Sequence, residues 1–106
     1  LASKSRARLA ESKGKTMAFT DTEIAQAHEG ARSGDSENLY KLGLIYSTGQ
    51  GAEIDLIKAH MWFNLAAMKG SQPAKTCRKE LADLMSTFEI AAAQKAAREY
   101  VNQWRH

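Results

Sequence analysis

The side chains that most often carry catalysis or metal binding are few and badly spaced for either. Three histidines, His28, His60 and His106, stand far apart in 106 residues. His28-Glu29 lacks the second histidine four residues on that a helical zinc-hydrolase motif needs. His60 lies beside Met61 and Trp62, and no second ligand stands at a metal-binding interval from it. Cys77 is the only cysteine, so no intrachain disulfide and no multi-thiolate metal site can form. Its place in a run of helical character assigns it a small, buried, apolar role. Gly49-Gln50-Gly51 is followed by Glu53 and Asp55, with no lysine to pair phosphate, so it is no nucleotide cradle. Serine, histidine and aspartate are all present, but nothing pairs a nucleophile with a base. These residues predict a non-catalytic chain without metal or cofactor.

A different set of side chains is suited to recognition. Tyr40 and Leu44 stand one turn apart in a run of helical character and so project to the same side, with Glu37, Ser47 and Thr48 near them in sequence. An aromatic and an aliphatic residue framed by hydroxyls and a carboxylate suit a peptide or helix of a partner protein. Thr76, Glu80 and Asp83 extend that face if a following hairpin stacks beside it. The alternative is ordinary packing of Tyr40 against the preceding helix.

The elements that must position these residues are helical throughout. Pro73 is the only proline, alanine is plentiful, and β-branched residues are sparse, all of which favours helix over strand. Thr20-Asp21-Thr22-Glu23 has capping-box spacing, and Ile24, Ala27 and Ala31 follow as an apolar face that Ser33-Gly34 closes. A second helix is predicted from Asp35 to Thr48, ended by Gly49-Gln50-Gly51. Asp55 caps a third, Leu56 to Lys69, with Ala59, Trp62, Phe63, Ala66 and Ala67 on one face. A fourth starts at Pro73 and runs through Cys77 and Leu81 to Met85. Ser86-Thr87-Phe88-Glu89 opens a fifth that carries Ala92, Ala93, Ala96, Ala97, Tyr100, Val101 and Trp104. Five short helices joined by tight turns predict an antiparallel array. No run approaches the roughly 18–20 apolar residues of a membrane-spanning helix.

Charge is divided unevenly. Residues 1–16 hold Lys4, Arg6, Arg8, Lys13 and Lys15 against Glu11 alone, while the other 90 residues hold ten basic and eleven acidic side chains. Residues 1–19 therefore read as a basic, disordered or weakly helical extension to a nearly neutral body. They lack the apolar stretch of a secretory signal, and Met17 marks a candidate start. Attraction to an RNA-containing particle or another anionic surface must rest on this tail. It has no aromatic residue before Phe19 on which a base could stack.

A repeat underlies the pattern. Ala31-x-x-Gly34 recurs as Ala67-x-x-Gly70 after 36 residues, each copy at a helix end. Between them runs Leu42-Gly43-x-x-Tyr46-x-x-Gly49-x-Gly51-x-x-x-Asp55-x-x-Lys58-Ala59-x-x-Trp62-Phe63-x-x-Ala66-Ala67-x-x-Gly70. Each position has a physical task. Gly43 allows two helices to approach closely, Gly49 and Gly51 reverse the chain, and Tyr46, Trp62 and Phe63 fill the space between helices.

This string closely resembles the Sel-one-like repeat, a relative of the tetratricopeptide repeat, over about a dozen positions in order without a gap. The resemblance covers one complete repeat, residues 35–70. Residues 22–34 resemble the second helix of a truncated preceding repeat, and residues 71–105 a degenerate capping hairpin. The family pattern is broken in two places. Asn38 stands where alanine is usual, and Arg78 and Lys79 replace the equivalents of Leu42 and Gly43.

The resemblance implies an all-α, right-handed α/α superhelix of tetratricopeptide type for residues 20–106. It implies an adaptor, assembly factor or accessory subunit that binds a protein partner, with Glu37, Tyr40, Leu44, Ser47 and Thr48 on the inner face. Such proteins are common in bacteria, which implies a bacterial cytoplasmic setting, with the periplasm as the alternative.

Overall fold

The computed structural model describes residues 19–105. The expectations for residues 1–16, for Met17 and for His106 lie outside the described residues. Five α-helices follow one another: α1 (Asp21–Arg32), α2 (Ser36–Thr48), α3 (Leu56–Met68), α4 (Gln72–Ala82) and α5 (Thr87–Val101). A short 3-10 turn, Asn102–Arg105, follows α5. The described residues contain no strand, so the chain is all-α there.

Local chemistry sets each start. Thr20 and Ser86 form complete capping boxes with Glu23 and Glu89, in which side chain and backbone satisfy each other at the helix entrance. Asp35 and Asp55 cap α2 and α3 by accepting from the backbone N–H groups of Asn38 and Lys58. The fourth helix differs from expectation at both ends. Ser71, not Pro73, provides the start, its hydroxyl accepting from the Ala74 N–H, and Pro73 sits within the first turn. The helix stops at Ala82, before Leu84 and Met85. The N–H groups of these two residues bond instead to the carbonyls of Leu81 and Ala82, three residues back, and the chain turns directly into the Ser86 cap.

Helix α3 lies at the centre and packs against α2, α4 and α5, while α1 covers α2. Leu39, Leu42, Ile45, Phe63, Leu65 and Leu81 are wholly buried between these helices, and their burial supplies most of the driving force for folding. Gly43 is where α2 meets α3. A Cβ there would lie 2.4 Å from two carbons of the Phe63 ring, so the glycine makes room for an aromatic side chain rather than for a bare backbone.

The Asn38 departure has a compensating partner. Its side chain lies over Gly30 of α1, where a Cβ would come within 2.1 Å of the Asn38 amide nitrogen. The larger side chain on α2 thus faces the smallest one on α1. Asn38 also donates from Nδ2 to the Asp35 carboxylate. At the other departure, Arg78 takes a half-buried place and donates from Nη1 to Asn64 Oδ1 of α3 at 2.6 Å. Lys79 remains exposed.

Candidate functional site

Helix α2 presents Ser36, Glu37, Tyr40, Lys41 and Leu44 on one side, at the three- and four-residue spacings of a helical face. Opposite them stand the turn between α3 and α4 and the first residues of α4, from Gly70 to Pro73. The two walls enclose a groove of about 650 Å³. Glu37, Tyr40 and Leu44 of the expected set line it together.

Each occupies a different level. Leu44 is only 5% exposed and forms the floor. Tyr40 is half-buried, its ring tilted against Phe63 with centroids 5.8 Å apart. The ring thus rests on α3. The Cys77 thiol lies 4.0 Å from the Tyr40 Oη and is oriented to donate to it. Burial, together with the nearby Cys77 sulfur, pushes the phenol pKa up to about 12. At neutral pH the phenol is uncharged, which suits it to hydrogen bonding and not to nucleophilic attack. Glu37 is exposed at the rim.

The remaining expected residues lie elsewhere. Ser47 is fully buried and donates from Oγ to the Leu44 carbonyl at 3.3 Å, so it does not rim the groove. The hydroxyl of Thr48 donates to the same carbonyl at 2.7 Å. Both turn inward onto their own helix because a serine or threonine hydroxyl readily bonds the carbonyl three or four residues back. Thr76 and Asp83 are exposed, Glu80 is half-buried, and none of the three lines the groove. The groove turns from α2 towards the start of α4 and never reaches the latter's second half. Its far wall was missed in sequence because Gly70 and Pro73 read as punctuation. The only available signal was that this turn follows the repeat marker Ala67-x-x-Gly70.

His28 and His60 are engaged in packing. His28 meets the edge of Trp62 with ring centroids 5.6 Å apart. Trp62 continues to Tyr100 at 5.1 Å, and Tyr100 to Trp104 at 5.8 Å. This aromatic series crosses α1, α3 and α5. Burial holds the His28 imidazole below its ordinary pKa, and the charges of Arg32 and Lys58 add to that effect. His60 is 3% exposed, and burial followed by the charge of Arg78 lowers it in the same way. Among the described residues, no three His, Cys, Asp or Glu side chains gather as a metal centre requires. No helix among them is long and apolar enough to cross a membrane.

No protein-family model, curated protein or solved structure matches the chain.

Proposed function

We propose that this chain is a non-catalytic protein-interaction module whose Tyr40 groove receives a segment of a partner protein. The observation that carries the reading is the composition of the groove. An uncharged phenol and a leucine floor lie between two polar walls, with Glu37 and Lys41 on the α2 side. An apolar centre with a polar rim is the usual anatomy of a protein-binding patch.

The resemblance of residues 35–70 to a Sel-one-like repeat supports the same class. In that reading α2 and α3 are one complete repeat, α1 the second helix of a truncated one, and α4 and α5 a degenerate cap. The array then curves as a right-handed α/α superhelix with the Tyr40 groove on its inner side. The resemblance also supports a bacterial cytoplasmic setting.

The test compares the parent with Lys41→Glu and Tyr40→Ala variants shown to melt cooperatively, each used to recover binding proteins from the source cell. A protein retained by the parent and by a control changed at Phe88, which lies far along the chain on α5 and is 83% exposed, but lost with both groove variants, supports the reading. Equal recovery by all four chains overturns it.

A further inference from the structure

The body of the chain is close to neutral, yet its cations are not evenly spread. Lys75, Arg78 and Lys79 stand on α4 at spacings of three and four, so they share one side of the helix. They line a second groove, of about 520 Å³, completed by His60 and Asn64 of α3 and Gln94 of α5. No carboxylate lines it. Three cations therefore share one concavity whose lining supplies no carboxylate.

The floor is preorganised. Arg78 donates to the side-chain oxygen of Asn64, a neutral acceptor that fixes the guanidinium without cancelling its charge. The other N–H groups of its fork stay available for a planar or tetrahedral oxyanion. His60 lies almost entirely within the protein at the base of the groove, and its Nδ1 has no hydrogen-bond partner. That nitrogen is itself shut off from the groove, so the contacts offered to a ligand are those of the α4 cations. The Gln94 side chain adds a neutral donor.

We propose that this groove binds a phosphoryl group. Three cations suit a dianion better than a single carboxylate, which would leave most of the positive charge unanswered. The lining contains no phenyl, phenol or indole ring on which a nucleobase could stack. The recognised unit is thus the isolated phosphoryl group, carried by a small phosphate ester or by a phosphorylated side chain. This site is separate from the Tyr40 groove and does not depend on the partner reading given above.

The test is a titration of the full chain with inorganic phosphate at pH 7.5 and fixed ionic strength, followed by NMR of the Arg78 side-chain N–H and the His60 ring. Saturable shifts at both positions are expected, with acetate at least tenfold weaker. Lys79→Gln, at an exposed position that cannot disturb the core, should weaken binding several-fold, and Arg78→Gln at least tenfold. Lys13→Gln with Lys15→Gln in the basic tail should leave it unchanged. A phosphoserine peptide that binds more tightly than inorganic phosphate would identify a modified partner as the source, and equal or weaker binding a small ester. Linear shifts spread over all cations, equal response to acetate, or unchanged affinity in Lys79→Gln and Arg78→Gln together would overturn the assignment.

Discussion

The indole N–H of Trp104 donates to the backbone carbonyl of Ala31 across 3.1 Å, joining residues 73 positions apart. The bond ties the 3-10 turn after α5 to the last turn of α1, where the Ala31 carbonyl also accepts from the Gly34 N–H. Lys69 lies over the same indole, its Nζ 4.5 Å from the ring centroid, a cation–π contact. The last described element thus returns to the first described helix.

Removing only the donor should expose the strength of this closure. Trp104→Phe keeps an aromatic ring against Tyr100 but removes the indole donor, leaving the Ala31 carbonyl with the Gly34 N–H alone. A loss of about 0.5–1.5 kcal/mol is expected in chemical denaturation. Lys69→Met in the same background should then cost less than it does in the parent, because the two contacts share one ring. Full additivity of the two changes would mean that they act independently.

The α2–α3 crossing makes a sharper demand. Alanine is normally favoured over glycine inside a helix by about 1 kcal/mol. Gly43→Ala should nevertheless destabilise by about 1–3 kcal/mol, since its Cβ would meet the wholly buried Phe63 ring. In a Phe63→Leu background the same change should cost much less. A Gly43→Ala protein as stable as the parent would refute the close approach.

Caps, turns and apolar spacing made the helices legible in sequence. Each depends on a few neighbouring residues, as at Thr20 with Glu23 or Ser86 with Glu89. The end of α4 was less so, because Leu84 and Met85 continue the apolar spacing while the backbone has already turned. For the site, Tyr40 and Leu44 could be placed on one side by helical periodicity alone. Their depth could not, since it depends on Phe63 and Cys77 from other helices. The same limit hid the pairing of Asn38 with Gly30 and the gathering of Lys75, Arg78 and Lys79 beside His60. Net charge counts residues without regard to the side on which they fall.

The Asn38–Gly30 pair predicts a swap. Gly30→Ala alone gains helix propensity but displaces the Asn38 side chain from the Asp35 carboxylate, so the two effects should largely cancel. Adding Asn38→Ala removes the obstruction and leaves the backbone cap from Asn38 N–H to Asp35 intact. The double variant should exceed Gly30→Ala in stability by roughly 0.5–1 kcal/mol. Thermal melting of both proteins decides this, and a double variant less stable than the single would contradict the pairing.

Stability should fall on mild acidification. His28 and His60 are both held below their ordinary value of 6.5 by burial. Above about pH 7 both rings are neutral in the folded and the unfolded chain, and they add no pH dependence. As the pH drops through 6.5 the unfolded chain takes up protons first, which draws the equilibrium towards unfolding. The denaturation midpoint should therefore decline between about pH 7 and pH 5.5. Replacing both histidines with glutamine should flatten that decline, whatever it does to the absolute midpoint. An unchanged slope would assign the effect to other groups.

The Tyr40 groove yields the functional prediction, and the two residues at its centre must be tested differently. Leu44 is almost wholly buried, so Leu44→Ala should cost about 2–5 kcal/mol of stability and cannot report cleanly on binding. Tyr40 is half-buried, and its ring can be removed with less damage to the core. Tyr40→Ala should retain the helical circular-dichroism signal while weakening partner binding by about 2 kcal/mol or more, as loss of a central anchor does. Tyr40→Phe separates the hydroxyl from the ring. If the ring supplies the contact, the phenylalanine variant should bind nearly as well as the parent; if the hydroxyl does, it should resemble the alanine variant. Unaltered affinity in both, measured by calorimetry with the recovered partner, would place that partner elsewhere on the surface.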